Sequence, residues 1–125
     1  MIKDTIIEIL IGIKIDAEFG PVIVIGAGGI FTELIRETKT LLLPLTTKDI
    51  KNELKNMKIG KILFGYRNNS AADIEGLVDA VLKLSKFAEK NINKLHEIEI
   101  NPLIVCKKNK GVFAVDALIH YFEEL

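Results

Sequence analysis

The stretch EIEINPLIV, residues 97–105, sets acidic and amide side chains on alternate positions between isoleucines, then runs through a proline into an apolar tail. A period of two argues for a strand, and the polar set Glu97, Glu99 and Asn101 gives that strand a distinct second face. Such a face is either solvated surface or a cation site. What decides between them is the segment it pairs with. EIEINPLIVCKK followed by a turn and then GVFAVDALI reads as a β-hairpin. With a four-residue loop, Lys107 to Lys110, Cys106 faces Gly111 and Asn101 lies directly opposite Asp116. Partners of that kind share a face, with Cβ atoms ~5 Å apart, and Glu99 sits one step further along the same face. A loop one residue shorter or longer would put Asn101 and Asp116 on opposite faces.

In this register Leu103 meets Ala114 and Val105 meets Val112 on the Asn101 face, while Ile98, Ile100, Ile104, Phe113 and Val115 occupy the other. The hairpin is apolar on both sides, and only its open end is polar. Two oxygen ligands carrying one formal charge are too few for a dedicated Ca²⁺ cage. They suit Mg²⁺, which keeps waters and takes its remaining ligands from substrate phosphates. The other reading stands beside it: Glu97 and Glu99 are solvated and Asn101 starts the turn before Pro102.

Working back along the chain, TIIEILIGIKI (5–15) reads as a strand bulged at Gly12, and VIVI (22–25) as a second, buried strand after the turn DAEFGP. The cluster GAGG and a short helical segment, FTELIRE, follow, then a third strand, TLLLPL (40–45), stopped near Pro44. Thr46 with Asp49 forms a capping-box start for a helix in which Ile50, Leu54 and Met57 share a face. Ser70 with Asp73 repeats the device before a longer helix whose stripe is Ile74, Leu77, Val78, Val81, Leu84 and Ala88. Between them KIGKILFGYR (58–67) reads as a strand ending in an exposed turn. The expected fold class is α+β: about five mostly antiparallel strands covered by two principal helices.

The order strand, glycine loop, helix start around Gly28 and Gly29 can present backbone N–H groups to an anion. It lacks the last glycine of a dinucleotide fingerprint, since Phe31 stands there, and the Gly-Lys-Ser/Thr of a P-loop. A tight turn needing positive φ is the competing explanation.

The chain has 125 residues, one domain's worth, enough to bury ~68% of its unfolded surface. It is 49% hydrophobic and 27% charged with no net charge, which excludes a disordered tail and an electrostatic nucleic-acid footprint. No window approaches the ~20 apolar residues of a membrane span, and the opening residues do not read as a signal peptide. One cysteine, Cys106, cannot form an internal disulfide, which fits a reducing cytoplasm. Cys106 reads as a small core residue, His96 as a surface residue, and His120 as lying near the end of a sheet or helix.

Taken together, EILIGIKIDAEFGPVIVIGAGGIFTEL, LLLPLT, FGYR and EIEINPLIV…VFAVDALI resemble the ATP-grasp part of the ADP-forming acyl-CoA synthetases, the acetate–CoA ligase (ADP-forming) family. The EINPL element followed by Val-Asp-Ala is shared with the β subunit of succinyl-CoA synthetase. The resemblance runs from about Glu8 to Ile119. It implies a C-terminal ATP-grasp lobe over residues 1–125, with the lysine-bearing N-terminal lobe and the CoA-binding domain, which carries the phosphorylated histidine, supplied elsewhere. It implies the reversible reaction of acyl-CoA, phosphate and ADP to acid, CoA and ATP, with Mg²⁺ and ATP or ADP as cofactors. Asn101 and Asp116 match the family's Mg²⁺ ligands, and Glu99 the acidic residue that meets the phosphohistidine. Glu8 falls on the nucleotide-lining strand, Gly28 and Gly29 border the phosphate region, and Arg67 matches an arginine of the family's G-x-R-G turn. Two positions depart from the pattern: Asn68 follows Arg67 where glycine is implied, and Leu41 stands where a basic residue is. The expected partners are the complementary lobe and the CoA-binding subunit or domain, with neither nucleic acid nor membrane. The alternatives are a non-catalytic binding or regulatory module, a domain of an acetyl-CoA-synthetase-like protein acetyltransferase, and a structural homodimer.

Overall fold

A computed structural model describes residues 4–29, 31–65 and 70–121. Six strands form one antiparallel sheet: β1 (Thr5–Asp16), β2 (Gly20–Ala27), β3 (Thr38–Leu42), β4 (Leu95–Cys106), β5 (Val112–Ala114) and β6 (Ala117–Tyr121). Their spatial order is β3-β2-β1-β4, and β5 and β6 share the outer edge of β4. The helices are the short α1 (Phe31–Leu34), then α2 (Thr47–Asn56), α3 (Lys58–Leu63) and α4 (Ile74–Lys90). This is the expected α+β architecture.

One face of the sheet makes the core. Ile7, Ile9, Ile11 and Ile13 of β1 are buried, and their cross-strand partners Ala27, Ile25 and Ile23 of β2 lie on the same face. Leu103, Ile100 and Ile98 of β4 complete the layer, joined by Ile50 and Leu54 of α2, Ile59 and Leu63 of α3, and Leu77, Val78, Val81 and Ala88 of α4. Fully burying each isoleucine contributes roughly 1.5–3 kcal/mol. The other face, carrying Glu8, Leu10, Gly12 and Lys14 of β1 beside Val24 of β2 and Glu97 and Glu99 of β4, is the open one.

Several local readings are corrected. Residues 58–63 are helical, not a strand, because the backbone N–H groups of Lys58 and Ile59 donate to the Glu37 carboxylate at 2.6 and 3.1 Å. That distant cap starts α3, and local β-propensity does not reveal it. The cap of α4 is Asp73, whose Oδ1 accepts from Gly76 N–H at 3.0 Å, and not Ser70. Gly12 pairs regularly with Val24 and Glu99, so no bulge lies there. The third strand ends at Leu42, before Pro44. Leu41 points into the core opposite Ile23 and is 6% exposed. GVFAVDALI divides into β5 and β6 with a step between them at Val115 and Asp116.

The capping box at α2 is as expected: Asp49 N–H donates to Thr46 Oγ at 3.1 Å, and Thr46 N–H to the Asp49 carboxylate at 3.0 Å. That backbone hydrogen bond, aided by the Thr46 hydroxyl, holds the Asp49 carboxyl below its ordinary value. Burial pushes the Cys106 thiol up, reinforced by the carboxylates of Asp4 and Asp73, as befits a buried residue with no call on thiolate chemistry. Among the described residues no helix is long and apolar enough to cross a membrane.

Two expectations follow. Ile9→Ala empties the centre of the layer and should lower the unfolding free energy by about 2–5 kcal/mol, measured by urea titration. A lowered folded pKa at Asp49 means stabilisation that is present at neutral pH and lost as pH falls through that value. Asp49→Asn should therefore be less stable than the parent at pH 7, and the deficit should vanish below the carboxylate range; a constant deficit would contradict the capping account.

Candidate functional site

The site begins with a change of count in β4. Against β1 the register runs Ile13↔Ile98, Gly12↔Glu99 and Ile11↔Ile100, then resumes at Ile9↔Leu103 and Ile7↔Val105. Asn101 and Pro102 therefore stand together opposite Leu10, a β-bulge. The extra residue explains how Ile98, Ile100, Leu103 and Val105 all reach the helix-covered face. It also corrects the expected faces of the hairpin. Ile104 lies opposite Glu8 and Phe113 on the open face, whereas Ile98 and Ile100 share the covered face with Leu103.

On its other edge β4 keeps a single count from Val105 to Glu97, and the register shifts beyond that, between Glu97 and Leu95. Val105↔Val112, Ile104↔Phe113 and Leu103↔Ala114 continue into Ile100↔Ala117, Glu99↔Leu118 and Ile98↔Ile119. Cys106 N–H donates to Gly111 O at 3.1 Å, and Asn101 N–H to Asp116 O at 3.1 Å. The four-residue loop and the Asn101–Asp116 partnership expected from sequence are both present. The two backbones meet there in the step between β5 and β6, between the ladder pairs Leu103↔Ala114 and Ile100↔Ala117. Val115 N–H donates to Pro102 O at 3.1 Å, so the step in the outer strand mirrors the bulge in the inner one.

The glycine loop meets this bulge. Gly29 N–H donates to Asn101 Oδ1 at 3.0 Å, a contact 72 residues apart in sequence. Only the oxygen of the carboxamide can accept, so this bond fixes which end of the amide faces the loop. Gly28 N–H donates to Glu8 O at 3.0 Å. A Cβ on Gly28 would come within 2.6 Å of the Ile9 backbone, and one on Gly29, where φ is +53°, would strike the Glu8 carboxylate. Close backbone approach thus requires glycine at position 28 and the positive φ favours it at 29, and both of their N–H groups are already engaged within the chain. An open depression of about 590 Å³ is lined by Glu8, Gly29, Thr32, Glu33 and Pro102.

Glu99 is exposed on the open face, opposite Gly12, which presents no side chain, and Leu118. Glu97, opposite Lys14, lies 3.2 Å from Nδ1 of His120. Glu8, Gly28, Gly29 and Asn101 thus meet at the bulge, Glu99 lies two residues before Asn101 on the open face, and Asp116 joins them through its backbone bond to Asn101. Arg67 lies outside the described residues. Among those residues no group of three or more His, Cys, Asp or Glu side chains could hold a metal ion by itself. Sequence reasoning missed the Gly29–Asn101 contact, and no local signal marks it.

The ATP-grasp domain family matches residues 1–120. The β subunit of acetate–CoA ligase (ADP-forming) II from Pyrococcus furiosus is 38% identical over 112 residues, 90% of this chain and 48% of that protein. The 4-hydroxybutyrate–CoA ligase (ADP-forming) of Nitrosopumilus maritimus is 33% identical over 112 residues, 90% of this chain but 16% of its own length. Among solved structures, PH1788 from Pyrococcus horikoshii Ot3 superposes with a TM-score of 0.88 at 34% identity, covering 99% of this chain and 52% of that one. The acetyl-coenzyme A synthetase 1 of Ca. Korarchaeum cryptofilum superposes with a TM-score of 0.82 at 34% identity, over 93% of this chain and 53% of that one. It was solved with coenzyme A and Mg-AMPPCP, its phosphohistidine segment pointing towards the nucleotide-binding site. This chain spans about half the length of the β subunit and of these solved chains. The covered and open faces of the sheet, the bulge that carries EINPL and the match along residues 1–120 agree: the chain belongs to the ATP-grasp domain family, and its relatives are ADP-forming acid–CoA ligases.

Proposed function

We propose that this chain is the C-terminal ATP-grasp lobe of an ADP-forming acyl-CoA synthetase, and that its open sheet face holds Mg²⁺ and the phosphates of ATP or ADP. The observation that carries this reading is the pairing of Asn101 with Asp116 across β4 and the outer strand, beside Glu8, Glu99 and the glycine loop. A carboxamide oxygen and a carboxylate are the hard donors Mg²⁺ prefers, and two of them leave room for waters and phosphate oxygens. Asn101 Oδ1 spends one lone pair on Gly29 N–H and has a second to offer. These residues fit the ion. When bound, the ion neutralises charge on the phosphates as the phosphoryl group moves.

The chain's own residues then act by placement. Gly28 and Gly29 hold the loop close against Ile9 and Glu8 at the end of β2, which the family resemblance assigns to the border of the phosphate region. Glu8 borders the same depression, near the nucleotide. Glu99 stands exposed at the edge of the site, where its carboxylate would accept the second ring N–H of an incoming histidine and hold the imidazole in line. Arg67 is assigned to the phosphate side on the family resemblance. The phosphoryl group passes from a phosphohistidine carried elsewhere to ADP, giving ATP; in reverse, ATP phosphorylates the histidine.

Because the chain spans about half of its β-subunit relatives, the proposal includes a complementary lobe and a CoA-binding subunit or domain bearing the histidine. It places the assembly in the cytoplasm. Phe113, Val115, Leu118, Ile119 and Tyr121 form an exposed apolar strip along β5 and β6 that such parts would cover.

With the complementary lobe present, Mg-ADP titrated by calorimetry should bind, and Asn101→Ala or Asp116→Ala should weaken binding about tenfold or more, the scale of a lost contact to a charged group. Unchanged affinity in both variants would remove the metal assignment. Glu99→Gln should leave Mg-ADP affinity intact and slow phosphoryl transfer from the phosphohistidine by about 10- to 100-fold, the range for groups that orient a reacting imidazole. A rate equal to the parent's would show that Glu99 has no part in it.

A further inference from the structure

Asp73 does more than start a helix. Its side chain is only 9% exposed, and each carboxylate oxygen has its own backbone donor. Oδ1 accepts from Gly76 N–H at 3.0 Å, and Oδ2 from Gly111 N–H at 2.9 Å. Its own N–H donates to Cys106 O at 2.8 Å. Cys106 is the last residue of β4, and Gly111, with φ +93°, is the residue that leads into β5. One residue therefore grips both sides of the four-residue turn and ties them to the N-terminus of the 17-residue α4. The neighbouring backbone reinforces the inner side, with Ala72 bridged to Lys107 and Lys108 N–H donating to Ala71 O at 3.1 Å.

This grip has work to do because the hydrophobic pattern of the hairpin does not set its register. Strands apolar on one face lose their burial if they slip by one residue, but this hairpin is apolar on both. Val112 and Ala114 lie on the covered face and Phe113 on the open one. β5 is three residues long and pairs only with β4, while β6 is wholly exposed. A one-residue slip of this outer strand would cost little burial, yet it would turn Asp116 to the opposite face from Asn101.

We propose that Asp73 is a positioning residue for the metal site: by fixing the count of the β4–β5 turn from outside the hairpin, it keeps Asp116 opposite Asn101. The inference rests on the reading of that pair as metal ligands. Asp73 itself touches neither metal nor nucleotide in this account and acts only through Gly111 and the strand that follows.

The test compares Asp73→Ser and Asp73→Asn with Thr46→Ala in this chain assembled with its complementary lobe. Serine retains the capping of α4 but is too short to reach Gly111 as well; asparagine keeps one acceptor oxygen and should rescue in part. Thr46→Ala removes the cap of α2, whose hydrogen bonds run to Asp49 and not to the turn, and reports what a lost cap does by itself. The readouts are the thermal midpoint and the Mg²⁺ concentration that half-saturates ADP binding. Asp73→Ser should raise the Mg²⁺ requirement by about 10- to 100-fold, as expected for a group that orients a metal ligand. Asp73→Asn should fall between it and the parent, and Thr46→Ala should lower the midpoint without moving the Mg²⁺ requirement. A parental Mg²⁺ requirement in a folded Asp73→Ser or Asp73→Asn protein would overturn the proposal, as would equal shifts in the Thr46→Ala control. If Asn101→Ala and Asp116→Ala also left the requirement unmoved, the metal reading would fall with it; if they raised it and the Asp73 variants did not, only this inference would.

Discussion

β4 must satisfy two different registers at once. On the β1 side it carries one residue too many at Asn101 and Pro102, whereas on the β5–β6 side it carries none between Glu97 and Val105. The inner pairing needs the extra residue so that two pairs of buried side chains, Ile98 with Ile100 and Leu103 with Val105, can all face the helices. The outer pairing absorbs it with a matching step at Val115 and Asp116. The residues displaced from the regular alternation are those that carry the polar groups of the site. Burial therefore forces the placement of Asn101 and Asp116 as a by-product of filling the core, and the chemistry occupies positions that the core cannot use.

A bulged strand needs something to hold its loosened residue, and the glycine loop supplies it. Gly29 N–H reaches Asn101 Oδ1, while the tight fit of Gly28 on Ile9 keeps the loop close enough to do so. The positive φ expected in the GAGG turn is present at Gly29, so the structural reading of the cluster is correct as far as it goes. A second demand became visible only in three dimensions. The backbone must come so near to Glu8 and β1 that no side chain can be accommodated. Turn geometry and site geometry require glycine for separate reasons at adjacent positions.

What was legible in the sequence was whatever a short period or a short loop encodes. The four-residue turn fixed Cys106 against Gly111 and hence Asn101 against Asp116, and the 3.6-residue stripes identified the buried faces of α2 and α4. What was not legible depends on partners far along the chain. KIGKIL reads as a strand by composition, yet Glu37 caps it from 21 residues away and makes it α3. Ser70 and Asp73 are equally good caps by residue type, and the choice of Asp73 follows from its second bond, to Gly111, 38 residues on. The bulge was missed for the same reason: the one-for-one count along EIEINPLIV holds against β5 and β6, while the alternation of faces breaks at Asn101 and Pro102 through the pairing with β1, a strand nearly 90 residues earlier in the chain. Gly12 illustrates the converse error, since a glycine in a strand suggests a bulge by local rules, but here it opens space beside Glu99 on a perfectly paired strand.

The division of the sheet into a covered and an open face explains why the polar residues of this lobe do not compete with its stability. Among the described residues no buried side-chain nitrogen or oxygen lacks a hydrogen-bond partner. The isoleucine layer packs with its helices on one face, and Glu8 and Glu99 belong to the other face of the sheet. A carboxylate held on an open face keeps its hydration and is inexpensive to fold around. Its electrostatic strength appears only when a second surface closes over it and removes that water. On the proposed division of the site between separate pieces of polypeptide, the core of this piece lies on the helix-covered face, and the grip on ion and nucleotide would depend on closure over the other.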